Sequence, residues 1–92
     1  MGVLGRARRA LLSGKYRITG HADEEMEYDG LSREDVVHVI QTGRVSRRFT
    51  EDPRGPRYEV AGRARDGRAA FAVVRFLPGG ILRIVTAYAE RE

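Results

Sequence analysis

The spacing of the apolar residues changes once along this chain, at Gly43. Before this glycine, most apolar residues recur every three or four positions, which is the period of amphipathic helices. After it, short runs alternate between apolar and polar residues, which is the period of β-strands. Helices that precede the strands predict an α+β fold, in which the helices cover one face of an antiparallel sheet.

Three segments of the first half have helical spacing: residues 3–12, residues 20–28, and a helix that starts at Ser32 and is capped by Gly43. The third is the best delimited, because Ser32 and Asp35 have the spacing of a capping box, in which the two side chains satisfy free amides of the first turn. Residues 16–19 alternate over a strand length between the first two helices.

Four strands are predicted after Gly43: residues 44–51, 58–65, 69–77 and 81–88. The Asp66-Gly67 pair is a signal for a two-residue hairpin turn between the second and third. A chain of 92 residues has room for one core only. We therefore predict a single domain over residues 1–92, with N-terminal helices packed on a four-stranded antiparallel sheet.

Several classes of function are excluded by the residue types. The chain has no cysteine, which excludes zinc ribbons, redox pairs and thiol nucleophiles. Its two histidines, His21 and His38, lack metal-ligand spacing, and no glycine-rich phosphate loop or serine elbow occurs. No apolar run suits a signal peptide or a membrane span. We predict a cytoplasmic protein without metal, cofactor or membrane.

Positive charge is concentrated in the strand half. The net charge is +4, and ten of the sixteen arginines lie between residues 44 and 83. Basic strands with interleaved aromatic residues suit single-stranded RNA, because phosphates are neutralised while bases stack. Such charges also discourage aggregation of edge strands, so the pattern alone does not prove binding. The predicted RNA contacts are Arg57, Tyr58, Arg63, Arg65 and Thr86.

Four residues are candidates for catalysis: His21, Arg75, Arg83 and Tyr88. RNA cleavage by attack of its own 2'-hydroxyl needs a base, an acid and cations, but no metal. We assign the two arginines to transition-state charge, His21 to proton transfer, and Tyr88 to stacking or proton donation. Arg75 has apolar neighbours in its strand. It either binds a phosphate through its guanidinium group, or lies at the edge of the sheet with that group exposed to water. His21 either carries a proton or fixes a corner by hydrogen bonding.

Three segments together resemble a small bacterial family classed as a domain of unknown function: His21-Ala22-x-x-x-Met26, Gly30-Leu31-Ser32 and Ile84-Val85-Thr86-Ala87-Tyr88. The resemblance spans residues 16 to 89, and the element order is similar to that of the BrnT toxins and, more distantly, of the RelE-like toxins. The resemblance implies a RelE-like fold with a curved sheet, and the activity of a metal-independent ribonuclease of a toxin–antitoxin pair. Glu25 and Asp29 stand where the family usually has arginine.

The expected partners are RNA and a small antitoxin-like protein, and a homodimer through an edge strand stays open. A second function is compatible with the same residues, namely a non-catalytic RNA- or protein-binding module. The catalytic function requires that the assigned side chains converge. It would be excluded if Arg75 and Tyr88 lay on opposite faces of the sheet.

Overall fold

The computed structural model describes residues 2–90, so Met1, Arg91 and Glu92 of the predicted domain lie outside the described residues. Helices α1, α2 and α3 are Val3–Leu12, Gly20–Asp29 and Arg33–Thr42. Strands β1 to β5 are Tyr16–Ile18, Arg44–Phe49, Arg57–Arg63, Ala69–Leu77 and Ile81–Ala89, with a 3₁₀ turn at Pro78–Gly80 before β5. The α+β class is confirmed, and all three predicted helices are present.

The sheet has five strands in the order β1-β5-β4-β3-β2, so the prediction of four antiparallel strands is wrong. Strands β2 to β5 form the expected meander. Strand β1 lies parallel to β5, with Tyr16 opposite Leu82 and Ile18 opposite Ile84. The alternation at residues 16–19 marks this strand, but so short a segment does not indicate which strand it pairs with.

The β3–β4 hairpin is longer than the predicted two-residue turn. The N–H of Ala64 donates to the Arg68 carbonyl at 2.8 Å, and the N–H of Gly67 donates to the Ala64 carbonyl at 2.9 Å. Residues 65–67 therefore connect the strands. Gly67 takes a φ of 95°, which completes the three-residue hairpin loop in which a glycine follows a tight turn.

The capping box of α3 is confirmed. The N–H of Asp35 donates to Ser32 Oγ at 3.1 Å, and the N–H of Ser32 donates to Asp35 Oδ2 at 3.0 Å. The N–H of Arg65 donates to Asp35 Oδ1 at 3.0 Å, which ties the helix to the hairpin. The bond from the Ser32 N–H is the main reason that the pKa of Asp35 falls from 3.8 to about 2, and the bonds from Arg65 add to it.

Gly43 caps α3 as predicted, but for a different reason. Its φ is −86°, which any residue adopts. The glycine is needed because the end of α3 packs closely against β3. A methyl group at this position would lie 2.5 Å from the Val39 carbonyl oxygen and would also overlap the Ala61 carbonyl oxygen.

The core lies between the three helices and one face of the sheet. Its largest fully buried side chains are Val36, Val39, Ile40, Val60, Val74, Leu82 and Ile84. The helix residues of this cluster pack with alternate residues of β3, β4 and β5. The intervening residues of these strands lie on the other face of the sheet, where the functional candidates are found.

Candidate functional site

The face of the sheet opposite the core carries arginines from all five strands, and we call it the arginine face. Residues directly opposite each other in neighbouring strands share a face. Arg75 lies opposite Arg83, and Phe71 lies opposite Tyr88. Because Phe71 and Arg75 are four residues apart in β4, these four side chains share the face. Arg75 and Tyr88 thus meet the condition required for catalysis.

Register extends this face to the outer strands. Arg17 lies opposite Arg83, while Arg47 lies opposite Glu59, which in turn lies opposite Val73. Within the described residues the face carries seven arginines: Arg17, Arg44, Arg47, Arg57, Arg63, Arg75 and Arg83. Five of them are exposed, Arg57 is half-buried and Arg75 is buried. The surface is therefore strongly positive and is suited to a polyanion.

Arg75 does not extend to water, so that alternative is wrong. The residue is 6% exposed, and its Nη2 donates to Asp52 Oδ2 at 2.9 Å. The same oxygen lies 3.0 Å from Arg57 Nε. A hydrogen bond from the Arg54 backbone N–H, together with the charges of Arg54 and Arg75, holds the pKa of Asp52 below its usual value. Asp52 therefore remains an anion between the two arginines.

Tyr88 is held in an aromatic and hydrogen-bonded layer of the face. Its ring stacks on Phe71, with centroids 5.0 Å apart. Its hydroxyl donates to Glu59 Oε2 at 2.9 Å, while Ser46 Oγ donates to Glu59 Oε1 at 2.9 Å. Burial raises the pKa of Tyr88, and the bond to Glu59 raises it further. Tyr88 therefore keeps its proton at neutral pH.

His21 lies at the edge of the arginine face, where α2 runs beside β5. Its Nε2 is 3.2 Å from Glu25 Oε1, and the same oxygen accepts a hydrogen bond from the Thr86 hydroxyl. His21 is exposed, with 69% of its side-chain surface accessible. A cleft of about 450 Å³ is lined by His21, Glu24, Glu25, Tyr28, Asp29, Tyr88 and Ala89. His21 and Tyr88 therefore reach one cleft, whereas Arg75 and Arg83 lie on the arginine face outside its lining.

Glu25 and Asp29, at the two positions of reversed charge, both bond to β5. Glu25 joins His21 to Thr86. Asp29 Oδ2 accepts from the Ala89 N–H at 2.9 Å. These carboxylates bind the helix to the last strand. Thr86, predicted to contact RNA, is engaged with Glu25 at this junction.

Tyr58 lies on the core side of the sheet and not on the arginine face. It is opposite Val74 in the neighbouring strand, and its ring centroid is 6.2 Å from that of Phe76. The guanidinium carbon of Arg48 lies over the Tyr58 ring, 5.7 Å from its centroid. Tyr58 therefore contacts an arginine, but it does not share a face with Arg57 and Arg63. Arg65 lies in the hairpin loop, where its Nε is 3.4 Å from Asp35 Oδ1. Arg63 is on the arginine face, and its Nη1 donates to the Gly67 carbonyl.

A comparison with family models places the chain. A model described as a domain of unknown function, DUF4258, matches residues 18–89. The chain belongs to the DUF4258 family. The matched part of this DUF4258 domain contains six of the seven arginines of the face, all except Arg17. No curated protein and no solved structure matches the chain.

The described part of this DUF4258 domain holds no group of three or more histidine and carboxylate side chains that could bind a metal ion. None of its described helices is long and apolar enough to cross a membrane. Sequence reasoning selected His21, Arg75, Arg83 and Tyr88 without pairing any of them with a carboxylate. Glu25 follows His21 by four residues, a spacing that brings two side chains together on a helix and that could have predicted the pair. Asp52 and Glu59 meet Arg75 and Tyr88 across loops and strands, and no local pattern marks them.

Proposed function

We propose that this DUF4258 domain acts on RNA as a metal-independent ribonuclease, in the manner of the BrnT and RelE-like toxins that its sequence resembles. The observation that carries the proposal is the arginine face, with the His21 cleft at its edge. A face with arginines on every strand attracts a phosphate backbone, and an aromatic pair on the same face offers a surface for bases.

The chemistry follows from what each side chain can do. In the cleaved strand, the 2'-hydroxyl oxygen attacks the adjacent phosphorus and the bond to the 5'-oxygen breaks. His21 takes the proton of the 2'-hydroxyl, with Glu25 fixing its ring and stabilising the charged imidazole. Tyr88 protonates the leaving 5'-oxygen, since its phenol stays protonated at neutral pH. Arg83, exposed on the same strand as Tyr88, stabilises the charge on phosphorus.

The test uses end-labelled single-stranded RNA, purified protein and excess chelator. Wild type is expected to leave 2',3'-cyclic phosphate ends. His21→Ala and Arg83→Gln are each expected to lower the cleavage rate by about 100-fold or more, which is the usual contribution of a proton carrier or an oxyanion donor. His38→Ala, on α3, is the matched control and should keep the wild-type rate. Undiminished cleavage by both site variants would refute the assigned roles.

A non-catalytic RNA-binding module is the second candidate, and the exposure of His21 favours it. Groups that transfer protons commonly occupy sites in which burial and neighbours tune their pKa. RNA binding by the wild type without any cleavage, with affinity lost when face arginines are replaced, would select this function. The toxin proposal also includes an antitoxin-like partner, and relief of growth arrest by the product of a neighbouring gene would support it.

A further inference from the structure

Two arginines of the arginine face converge on one oxygen of one carboxylate. Asp52 Oδ2 is 2.9 Å from Arg75 Nη2 and 3.0 Å from Arg57 Nε. The other oxygen, Oδ1, accepts from the backbone N–H of Arg54 at 2.8 Å. Two positive charges therefore share half of a single carboxylate, and a positive charge is left over at this point of the face.

The two guanidinium groups also have donors left over. The Nε atom of Arg75 is buried and has no hydrogen-bond acceptor among the described residues. The Nε atom of Arg57 is also buried and lies 3.0 Å from Asp52 Oδ2, but the two are not aligned for a hydrogen bond. Only 8% of the Arg75 side chain is exposed, so water does not readily replace the missing acceptor. A guanidinium group presents its donors as a planar fork that matches pairs of oxygens. This site therefore has more donors than Asp52 can satisfy.

We propose that Arg57 and Arg75 form a phosphate-binding clasp, which Asp52 occupies in this structure and from which a phosphodiester displaces it. A phosphodiester carries one negative charge, as the carboxylate does, so the exchange leaves the local charge unchanged. Its two free oxygens are arranged so that each can accept from one guanidinium group. The identification of this phosphate as part of an RNA backbone rests on the proposed function, whereas the anion site rests on the contacts alone.

Asp52 is placed to move away. It lies in the loop of residues 50–56 between β2 and β3. Arg54, which bonds to its other carboxylate oxygen, belongs to the same loop and can move with it. The turn is closed by the bond from the Gly55 N–H to the Asp52 carbonyl at 2.9 Å, with Gly55 at a φ of 107°. An open cleft of about 850 Å³ adjoins this loop. Loss of the two arginine contacts thus leaves the turn intact.

The test follows the Nε–H NMR signals of Arg57 and Arg75 in the full-length protein during two titrations, one with inorganic phosphate and one with a four-nucleotide single-stranded RNA. Wild type is compared with Asp52→Asn, whose amide oxygen can still accept from the Arg54 N–H. If the site is occupied by Asp52 nine-tenths of the time or more, Asp52→Asn binds both probes about tenfold or more tightly.

Asp66→Asn is the matched control. Asp66 accepts from the backbone N–H of Arg68 two residues later and pairs with its guanidinium, as Asp52 does with Arg54, but it lies in the β3–β4 hairpin. The change in net charge is the same, so its effect on affinity should stay below about twofold, the scale of an exposed charge. Equal gains in Asp52→Asn and Asp66→Asn would overturn the clasp, as would Nε–H signals that phosphate does not move.

The titrations also separate the clasp from the proposed function. RNA cleavage by the wild type with no response of either Nε–H signal would remove the clasp and leave the ribonuclease. A tighter phosphate response in Asp52→Asn, with no RNA bound, would establish the clasp and refute the RNA function. Should Asp52→Asn fail to fold, the wild-type phosphate titration decides, because a clasp requires saturable shifts of both signals.

Discussion

The salt dependence of RNA binding follows directly from the arginine face. Each phosphate neutralised on a single strand lowers the slope of log K against log salt by about 0.7. The exposed arginines of the face are Arg17, Arg44, Arg47, Arg63 and Arg83. Arg57 and Arg75 exchange one anion for another at Asp52, so they add nothing to the slope. Engagement of all five exposed arginines predicts a slope of about −3.5.

This slope corresponds to a large and measurable loss of affinity. A rise from 50 to 200 mM salt should weaken binding by about 130-fold in the wild type. Replacing Arg83 by glutamine removes one phosphate contact, which brings the slope to about −2.8 and the loss to about 50-fold. The assay is fluorescence anisotropy with a labelled single-stranded RNA whose 2'-hydroxyls are all methylated, so that it binds without being cleaved.

The control for Arg83→Gln is Arg9→Gln. Arg9 is exposed on α1, which packs on the opposite side of the sheet, and its replacement changes the net charge equally. The slope of this variant should remain that of the wild type. A wild-type slope shallower than about −1, or equal reductions by the two variants, would show that RNA does not bind through this face.

Three further predictions concern the scaffold. Gly43→Ala should lower the free energy of unfolding by about 3 kcal/mol in urea denaturation, since the added methyl group meets two backbone carbonyls. Gly20→Ala is the control and should not destabilise, because no atom lies within 4 Å of the added methyl group. Asp35 is stabilising above its unfolded pKa of 3.8 and loses this effect as the pH falls toward 2, so Asp35→Asn should cost about 1 kcal/mol at pH 6 and little at pH 2. In absorbance titration, Glu59→Gln should lower the pKa of Tyr88, and no change would mean that their hydrogen bond is absent in solution.

Local patterns predicted the elements that are formed by contacts between residues close in sequence. The capping box of α3 joins residues three apart, and the hairpin between β3 and β4 depends on turn residues within five positions. The alternation of β3 also contains a signal that was missed. Tyr58 has the same parity as the apolar Val60, and the residue between them is Glu59. Period two alone places the tyrosine on the core side of the sheet and off the arginine face.

The face to which Arg75 belongs could not be predicted in this way. Its strand is apolar on both faces, so alternation gives no preference for either. The face follows only from the pairing of β4 with β5, together with the bulge between Val73 and Val74 that changes the register. The place of β1 in the sheet likewise depends on its pairing with β5, because a strand of three residues is too short to indicate its partner.

Local sequence patterns were enough to predict an α+β domain rich in arginine on its strand half, with His21, Arg75, Arg83 and Tyr88 as candidates. The surroundings of these side chains depend on the fold. Arg75 meets Asp52 across 23 positions, Tyr88 meets Glu59 across 29, and Thr86 meets Glu25 across 61. A carboxylate that meets its partner across strands or loops has no fixed distance in sequence from it, unlike the carboxylate of a capping box. The folded register of strands and the path of one loop bring these charges together, and hence determine which arginines remain available to an anion.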